Sequence, residues 1–184
     1  MEKGVESSKH RYHTPVVATV DPEGMPTARV IVLRAVDAEQ RSLVFHSDAR
    51  APKIEHLRQR PQIAWSFWSP DDKVQLRVAG RCMLHFDDEL ADRQWRESTA
   101  ASKRCYLAPH PPSSEADEAS PNLPEDVRGV VPSEDRVEAG RSNFAVVRTH
   151  VLRIDWLYLH HEGHRRARFT WTEHGAHHTT WLQP

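Results

Sequence analysis

Short runs in which apolar and polar residues alternate recur along the first half of the chain, and turn residues separate them. The run "TPVVATV" is followed by the turn signal "DPEG", then by "TARVIVLRAV", the polar "DAEQR" and "SLVFHS". Alternation with a period of two, bounded by Gly, Pro and Asp, is typical of β-strands joined by tight turns. The pattern therefore predicts a meander of three strands.

Two segments depart from this alternation and have the features of helices. In "APKIEHLRQR", Ile54 and Leu57 lie three residues apart, and Pro52 stands where a helix can begin. In "DDELADRQWREST", two aspartates supply an N-terminal end, and Trp95 can face a core. We therefore expect two helices in a chain that is otherwise rich in strands.

Strand patterns continue in "QIAWSFW", where Trp65 and Phe67 share one face, and in "KVQLRVAGRCMLHF". Residues 109–140 are rich in Pro, Ser, Glu and Asp, so this segment predicts a long mobile loop that buries little apolar surface. Beyond it, "NFAVVRTHVLRIDWLYLH", "HRRARFTW" and "HHTTWLQP" predict the last strands. Many short strands with few helices favour a closed antiparallel barrel, because closure removes exposed edges.

The composition narrows the classes of function. The 184 residues suffice for one domain with a core, and the formal net charge of −1 gives no global positive field to attract nucleic acid or anionic membrane. Cys82 and Cys105 form neither a metal-ligand spacing nor a disulfide framework, which favours a reducing compartment. No signal peptide and no membrane-spanning run is recognisable. We expect a soluble cytoplasmic protein.

Two arginines enclose the apolar core of "PTARVIVLR". Arg29 and Arg34 can simply be solvated strand ends whose stems cover apolar surface. They can also form an anion site, because arginine matches phosphate oxygens with two parallel hydrogen bonds. Lys53, Ser47 and Arg168 are candidate partners for such a site. On an ideal strand an offset of five residues puts the two arginines on opposite faces, so a shared site requires a bend or bulge, or a second arginine that reaches over the edge of the strand.

Other polar and aromatic residues allow two interpretations each. Gln75 lies within a strand and can face solvent, or its amide can bind the edge of a heterocycle. Trp156 can pack in a core or form a flat wall beside a ring. The histidines of the last turns can be solvated strand ends or can hold a transition metal, although no carboxylate or cysteine completes a ligand spacing, and we predict no metal. These histidines are His160, His161, His164, His174, His177 and His178.

Taken in order, "ARVIVLR", "LVFHSDARAPKIEHLRQRPQIAWSFW", "VQLRVAGR", "DRQWREST" and a final "W…RARF" resemble the pyridoxamine 5′-phosphate oxidase family of FMN-binding split-barrel proteins. The resemblance is close over residues 13–106 and looser over residues 143–184, where it follows a divergent branch that also ends in tryptophan and proline. It implies a mainly β, antiparallel split barrel of Greek-key type, formed by one domain over residues 1–184. It also implies FMN as cofactor and a homodimer with sites at the subunit interface.

The resemblance also implies a set of cofactor contacts. Arg29 would bind the FMN phosphate, and Arg34, where the oxidases usually have lysine, would face the flavin and the substrate. In the turn "FHS" and the following "APK", the retained phosphate ligand is Lys53. Gln75 would bind the flavin ring. The remaining implied contacts are Val30, Ile31, Val32, His46 and Ser47 from the same subunit, and Trp156 and Arg168 from the other subunit.

The substrate side departs from the family. Two positions that hold the phosphate of pyridoxamine phosphate in the oxidases are Gln94 and Ser98 here, and only Ser102 matches. A C-terminal arginine–histidine pair of the family corresponds to His164 and Arg166. We therefore predict an FMN-dependent oxidoreductase that acts on an unidentified small molecule and is not a true pyridoxamine phosphate oxidase. Candidate catalytic residues are Arg34, His164 and Arg166.

Three alternatives stay open at this point. The altered substrate positions also suit a flavin-binding carrier or sensor without turnover. A deazaflavin can replace FMN in related barrels. A nucleic-acid-binding barrel would use Trp65, Phe67 and Trp68 as stacking platforms, although these aromatics alternate between faces. In the oxidoreductase, residues 109–140 would form a lid.

Overall fold

The computed structural model describes residues 1–172 and 175–184, and its regular structure is mainly antiparallel β with a few short helices, as predicted. In the part of the chain that is described, no helix is long and apolar enough to cross a lipid bilayer. The described strands are β1 (Val16–Val20), β2 (Pro26–Val30), β3 (Leu33–Asp37), β4 (Ser42–Asp48), β5 (Gln62–Ser69), β6 (Val74–His85), β7 (Phe144–Tyr158), β8 (Arg165–Trp171) and β9 (His177–Leu182). The described α-helices are α1 (Glu2–Glu6), α2 (Pro52–Gln59), α3 (Glu89–Glu97), α4 (Ala100–Lys103) and α5 (Glu134–Val137).

The chain forms two compact units. The first comprises Met1–Phe45, His56–Met83 and Arg148–Pro184, and the second comprises His46–Glu55 and Leu84–Val147. The strands are hydrogen-bonded in the order β2-β1-β5-β6-β7-β4-β3, and β8 pairs with both β7 and β9. Among the described residues this path is open, with β2 and β3 at its ends. A single domain over the whole chain stays a prediction.

The alternating pattern of β5 builds the core of the first unit. Ile63, Trp65 and Phe67 are buried, whereas Gln62 and Ala64 are exposed, as the period of two predicts. The Trp65 ring meets Phe45 edge-on with centroids 5.5 Å apart, and it stacks on Phe67 at 5.9 Å. Because Trp65 and Phe67 are buried, the exposed three-aromatic stacking surface required by the nucleic-acid alternative is not formed.

The predicted three-strand meander is wrong in one respect. The run "TARVIVLRAV" is two strands, because β2 ends at Val30 and β3 begins at Leu33. Between them Ile31 donates its backbone N–H to the carbonyl of Pro15, 3.0 Å away. β3 then pairs with β4 rather than with β2, and this ladder shifts register between Leu33 and Ala35, which puts Arg34 at a bulge. The chain therefore contains both a break and a bulge between Arg29 and Ala35, and either can change the faces on which Arg29 and Arg34 lie.

The second unit is built around α3. The Asp88 carboxylate caps this helix by accepting the N–H of Ala91 at 2.9 Å. Trp95 is buried and makes edge contacts with the rings of Tyr106 and Phe144, at centroid distances of 5.8 and 5.1 Å. The helix and its core-facing tryptophan are thus confirmed, and α2 begins at Pro52 as expected.

The segment 109–140 differs from a uniformly exposed loop. Its second half contains a 3-10 turn at Glu125–Val127 and the helix α5, and it buries Val127 and Val137. Glu138, just after α5, accepts a 2.9 Å hydrogen bond from the indole N–H of Trp95. The composition of the segment did not predict this partial burial, because two buried valines are enough to anchor an otherwise polar segment. Its mobility and its role as a lid stay predictions.

Candidate functional site

Arg29 is held on the covered face of β2. Its ladder neighbour on β1 is the buried Val17, so its side chain points to the same face as Val17. Nη1 donates to the hydroxyl of Thr19 at 2.9 Å and to the carbonyl of Thr27 at 3.0 Å. Nη2 donates to the hydroxyl of Thr27 at 2.7 Å. The guanidinium is therefore oriented by neutral acceptors.

The charge of Arg29 is uncompensated. Burial lowers the pKa of its half-buried guanidinium below the usual value, and none of the described carboxylates pairs with it. Thr19 behind it is itself fixed by the imidazole of the buried His56, with Oγ1 and Nδ1 3.1 Å apart. Taking a cation out of water without a counter-ion is costly, so this position favours the arrival of an anion.

A second cationic position lies in the second unit, at the turn that leads into α2. Lys53 Nζ donates to the hydroxyl of the buried Ser47 at 3.2 Å, so the structure brings these two predicted residues together. The neighbouring Arg50 is different, because it binds the Asp48 carboxylate through two hydrogen bonds of 2.7 and 3.0 Å. Asp48 thus neutralises Arg50.

Several other predicted flavin contacts lie on the opposite face of the sheet from Arg29. Cross-strand pairs connect Val30 to Val16, Val16 to Ser66 and Ser66 to Arg77, and Gln75 is two residues before Arg77 on the same face. Val30 is 63% exposed. Ile31 and Val32 occupy the break between β2 and β3. Within the described part of the chain, neither the Arg34 guanidinium nor the Gln75 amide has a hydrogen-bond partner.

Arg168 belongs to a charge cluster that spans three adjacent strands. The carboxylate of Asp155 on β7, 5% exposed as a residue, accepts Nε of Arg168 at 2.8 Å and Nη2 of Arg77 at 3.2 Å. Nη2 of Arg166 lies 3.8 Å from the same carboxylate. One carboxylate thus faces three guanidiniums, and an excess of positive charge is left over a cavity of about 280 Å³ beside Arg77, Asp155 and Arg168.

Sequence reasoning missed Asp155 and Arg77. Burial raises the pKa of Asp155, but the hydrogen bond from Arg168 and the charges of Arg168, Arg77 and Arg166 outweigh burial and hold the pKa below its usual value. Asp155 therefore stays ionised and fixes the direction of Arg168. The sequence feature that could have predicted this cluster is the aspartate inside the apolar run "RIDWLY". A strand buries an acid only where a partner lies beside it.

This depressed pKa predicts a pH dependence. A carboxyl group whose pKa is lower in the folded state stabilises the fold fully above its unfolded pKa of about 4. That contribution is lost as the pH falls through the folded value. Urea unfolding from pH 6 down to pH 3 should therefore show stability falling below about pH 4, and the fall should be smaller in Asp155→Asn. An identical acid profile in that variant would contradict the assignment.

The other predicted C-terminal residues lie apart from Arg168. Trp156 pairs with Ala167, so it points to the other face of the β7–β8 ladder, where it stacks on Tyr158 and meets Trp181 edge-on. The exposed His164 accepts the N–H of His160 in the turn between these strands. The flavin contact of Trp156 and the substrate role of His164 stay predictions.

The turn histidines do not assemble into a metal site in the described ranges, which contain no group of three or more His, Cys, Asp or Glu side chains placed to hold an ion. His160 and His161 have ring centroids 4.4 Å apart. His177 and His178 lie on β9. His174, which was part of the metal interpretation, lies outside the described residues.

The substrate-side residues are engaged within the second unit. His46 Nε2 lies 3.0 Å from the amide oxygen of Gln94, whose nitrogen donates to Glu97 at 3.2 Å. Ser98 donates its hydroxyl to the carbonyl of Gln94 at 2.7 Å. Ser102 lies in the first turn of α4 and accepts the hydroxyl of Thr99 at 3.1 Å. Substrate binding by Ser102 stays a prediction.

Residues 1–86 match a family model described as the FMN-binding domain of pyridoxamine 5′-phosphate oxidase. A pyridoxine/pyridoxamine 5′-phosphate oxidase from Trichormus variabilis is 35% identical over 65 residues, which are 35% of this chain and 29% of that enzyme. The corresponding enzyme from Gloeothece citriformis is 32% identical over 89 residues, which are 46% and 41% of the two chains. The matched region thus covers well under half of these relatives.

Solved structures share the fold over nearly the whole chain. A pyridoxamine 5′-phosphate oxidase-related, FMN-binding protein from Nostoc punctiforme superposes with a TM-score of 0.74 at 22% identity, covering 96% of this chain and 90% of that one. PhzG from Burkholderia lata superposes with a TM-score of 0.71 at 16% identity, covering 95% and 84%. At these identities the likeness concerns the fold alone, and it agrees with the predicted split-barrel class. The sequence match over residues 1–86 and the shared fold over nearly the whole chain thus both relate this chain to the pyridoxamine 5′-phosphate oxidase-like, FMN-binding split-barrel proteins.

Proposed function

We propose that the protein is an FMN-dependent oxidoreductase whose substrate is a small molecule other than pyridoxamine 5′-phosphate. The observation that carries the proposal is Arg29, a half-buried and oriented guanidinium without a carboxylate partner in the described chain. Its position in the matched domain is the one that binds the flavin phosphate in the family. When bound, the isoalloxazine ring would supply the redox chemistry, so no protein nucleophile is needed.

The residues of this chain would bind and orient the cofactor. Arg29 would donate hydrogen bonds to phosphate oxygens, and the phosphate contacts of Ser47 and Lys53 stay predictions from the resemblance. The hydroxyls of Thr19 and Thr27 keep the Arg29 guanidinium in one orientation before the ligand arrives, which lowers the entropy cost of binding. Arg34 at the bulge would add a positive charge that favours an anionic reduced flavin.

A homodimer would explain how Arg29 and Arg168 could both contact one flavin. Arg29 and Arg168 point to opposite faces of the sheet, and their strands are five steps apart in the strand order, about 24 Å measured across the strands. One flavin would therefore meet Arg29 of one protomer and Arg168 of a second copy. The face that carries Gln75 and Arg77 also has a surface suited to a second copy, namely a row of alanines in direct register over four strands. These are Ala28, Ala18, Ala64 and Ala79.

The substrate side argues against a phosphorylated substrate. Gln94 already contacts His46 and Glu97, and Ser98 donates its hydroxyl to a carbonyl of its own helix, so both side chains have partners that compete with a phosphate. The Glu97 carboxylate would also repel a dianion. Arg166 would be the residue that orients a substrate, because it lies beside Arg168 and is only loosely paired at 3.8 Å.

The test is the affinity for FMN. Arg29→Ala should weaken binding about 10- to 150-fold, because it removes a charge-assisted hydrogen bond of about 1.5–3 kcal/mol. Quenching of FMN fluorescence on titration with protein measures the dissociation constant. Arg81→Ala, which removes an exposed arginine of β6, is the matched control and should leave affinity unchanged. Equal affinities for Arg29→Ala and the native protein would refute the phosphate assignment.

A flavin carrier or sensor without turnover is the second candidate, and the engagement of Gln94 and Ser98 by neighbouring groups favours it. Anaerobic mixing with NADPH or NADH, followed by oxygen, separates the two functions. Reduction and reoxidation of the bound flavin at catalytic rates supports the oxidoreductase. Flavin that stays oxidised with every donor supports the carrier. The same proposal includes a reducing compartment as the location of the protein. It also includes a lid formed by residues 109–140.

A further inference from the structure

A cavity in the first unit shares no residue with the candidate flavin contacts. It has a volume of about 320 Å³, which falls in the range of small-molecule sites. Strands β3, β4, β7 and β8 and the N-terminal end of α1 supply its walls, and most of the lining is apolar. The larger apolar side chains of these walls are Val36, Leu43, Val151, Ile154 and Trp171.

One strong hydrogen-bond donor of Arg41, a residue that lines this cavity, is unused. Nη1 of Arg41 is buried without a hydrogen-bond partner, and among the described carboxylates none pairs with its guanidinium. The guanidinium lies over the indole of Trp171, 5.6 Å from the ring centroid. Buried polar groups are almost always satisfied, so a buried donor that lacks an acceptor indicates a place where a ligand supplies one.

The backbone at Arg41 is a second, independent observation. Arg41 ends the turn between β3 and β4 with φ of +50°, in the left-handed region that glycine and asparagine occupy more readily. Its carbonyl accepts the N–H of Val151 at 2.8 Å, which fixes the turn against β7. An arginine in a disfavoured conformation, with its charge beside an apolar cavity, suits a functional role better than a structural one.

We propose that this cavity binds a small organic monocarboxylate with an aromatic or branched apolar body. The carboxylate would accept hydrogen bonds from Arg41, and the body would lie against Trp171, Leu43 and Ile154. Asp37 and Glu2 also line the cavity, so their negative charges disfavour a dianion such as a phosphate ester.

The probe for this proposal is 4-fluorophenylacetate, observed by fluorine NMR with the FMN-loaded full chain. Its resonance should broaden and shift in a saturable way, with a dissociation constant in the millimolar range or below. The neutral 4-fluorophenylacetamide and the dianionic 4-fluorophenyl phosphate should each bind at least about 10-fold more weakly, since each loses the matched charge. Absence of saturable binding by the carboxylate, or equal binding of the amide, would overturn the proposal.

Two variants locate the binding. Arg41→Asn keeps a residue that tolerates the left-handed backbone, so it should fold at least as well as the native chain while weakening the carboxylate about 10- to 150-fold. Trp171→Ala should weaken both the carboxylate and the amide, and Arg81→Gln should change neither. Unchanged affinity in Arg41→Asn would refute the site. FMN affinity should be the same in Arg41→Asn and the native protein, which keeps this outcome separate from that of the flavin proposal.

Discussion

Replacing Trp65 by alanine is expected to lower the free energy of unfolding by about 3–5 kcal/mol, the range for removing a fully buried large aromatic side chain. Trp65 is 1% exposed and touches the rings of Phe45 and Phe67. Its indole N–H donates to the hydroxyl of Thr149 at 3.1 Å, so alanine leaves both a cavity and a buried hydroxyl with one partner fewer. Because tryptophan is the largest side chain, its truncation removes more packed surface from the first unit than the loss of either phenylalanine would.

Urea unfolding followed by far-UV circular dichroism measures this loss. Trp65→Phe keeps a ring but loses the hydrogen bond to Thr149, so it should cost about 1–3 kcal/mol. Trp181→Ala is the matched control, because Trp181 is 74% exposed and its loss should change stability by no more than about 0.5 kcal/mol. A Trp65→Ala protein within about 1 kcal/mol of the native one would mean that this core is packed differently.

Asp155→Ala is expected to lower the free energy of unfolding by about 2–3 kcal/mol. Breaking a buried ion pair costs about 3–5 kcal/mol, and the expected loss lies at or below the lower end of that range because the Arg77 and Arg168 side chains are 52% and 35% exposed. The substitution leaves three guanidiniums facing one another without their common carboxylate. It should also weaken FMN binding, since Arg168 loses the contact that fixes its direction.

Asp155→Asn refines this experiment, because it keeps the shape and one acceptor oxygen while it removes the charge. Asp71→Ala is the matched control, since Asp71 also pairs with an arginine, Arg11, but both side chains are more than half exposed. That control should cost no more than about 0.5 kcal/mol. Equal losses for Asp155→Ala and Asp71→Ala would show that the cluster does not stabilise the fold.

The sequence predicted the elements of the fold better than their connections. The period of two in β1 and β5 and the capped pattern of α3 are local signals, and the structure has all three elements. The break at Ile31 and Val32 was missed because both residues are apolar and β-branched, so nothing in composition separates β2 from β3. The pairing of β1 with β5, rather than of β2 with β3, depends on contacts between distant residues that periodicity does not encode.

The candidate site shows the same division. Arg29, Ser47 and Lys53 were predicted because phosphate chemistry needs cations and hydroxyls at motif positions, and their role stays a prediction. The structure adds that Thr19 and Thr27 orient Arg29. Asp155 and Arg77 lie 78 positions apart, so their pairing is visible only once β6 and β7 are side by side. The contact of the Arg41 guanidinium with the Trp171 ring likewise joins residues from distant parts of the chain.

Within residues 109–140, the side chain of Asn122 joins the two ends of the exposed stretch that precedes α5. The Asn122 side chain both donates to the carbonyl of His110 at 2.8 Å and accepts its N–H at 3.2 Å, which joins the two ends of residues 111–121. Extra sequence placed between Ser113 and Ser120 would therefore extend away from a clamped base and leave the flanking backbone in position. This stretch is a natural point for inserting an epitope or a fluorophore-labelling peptide while both compact units keep their own cores.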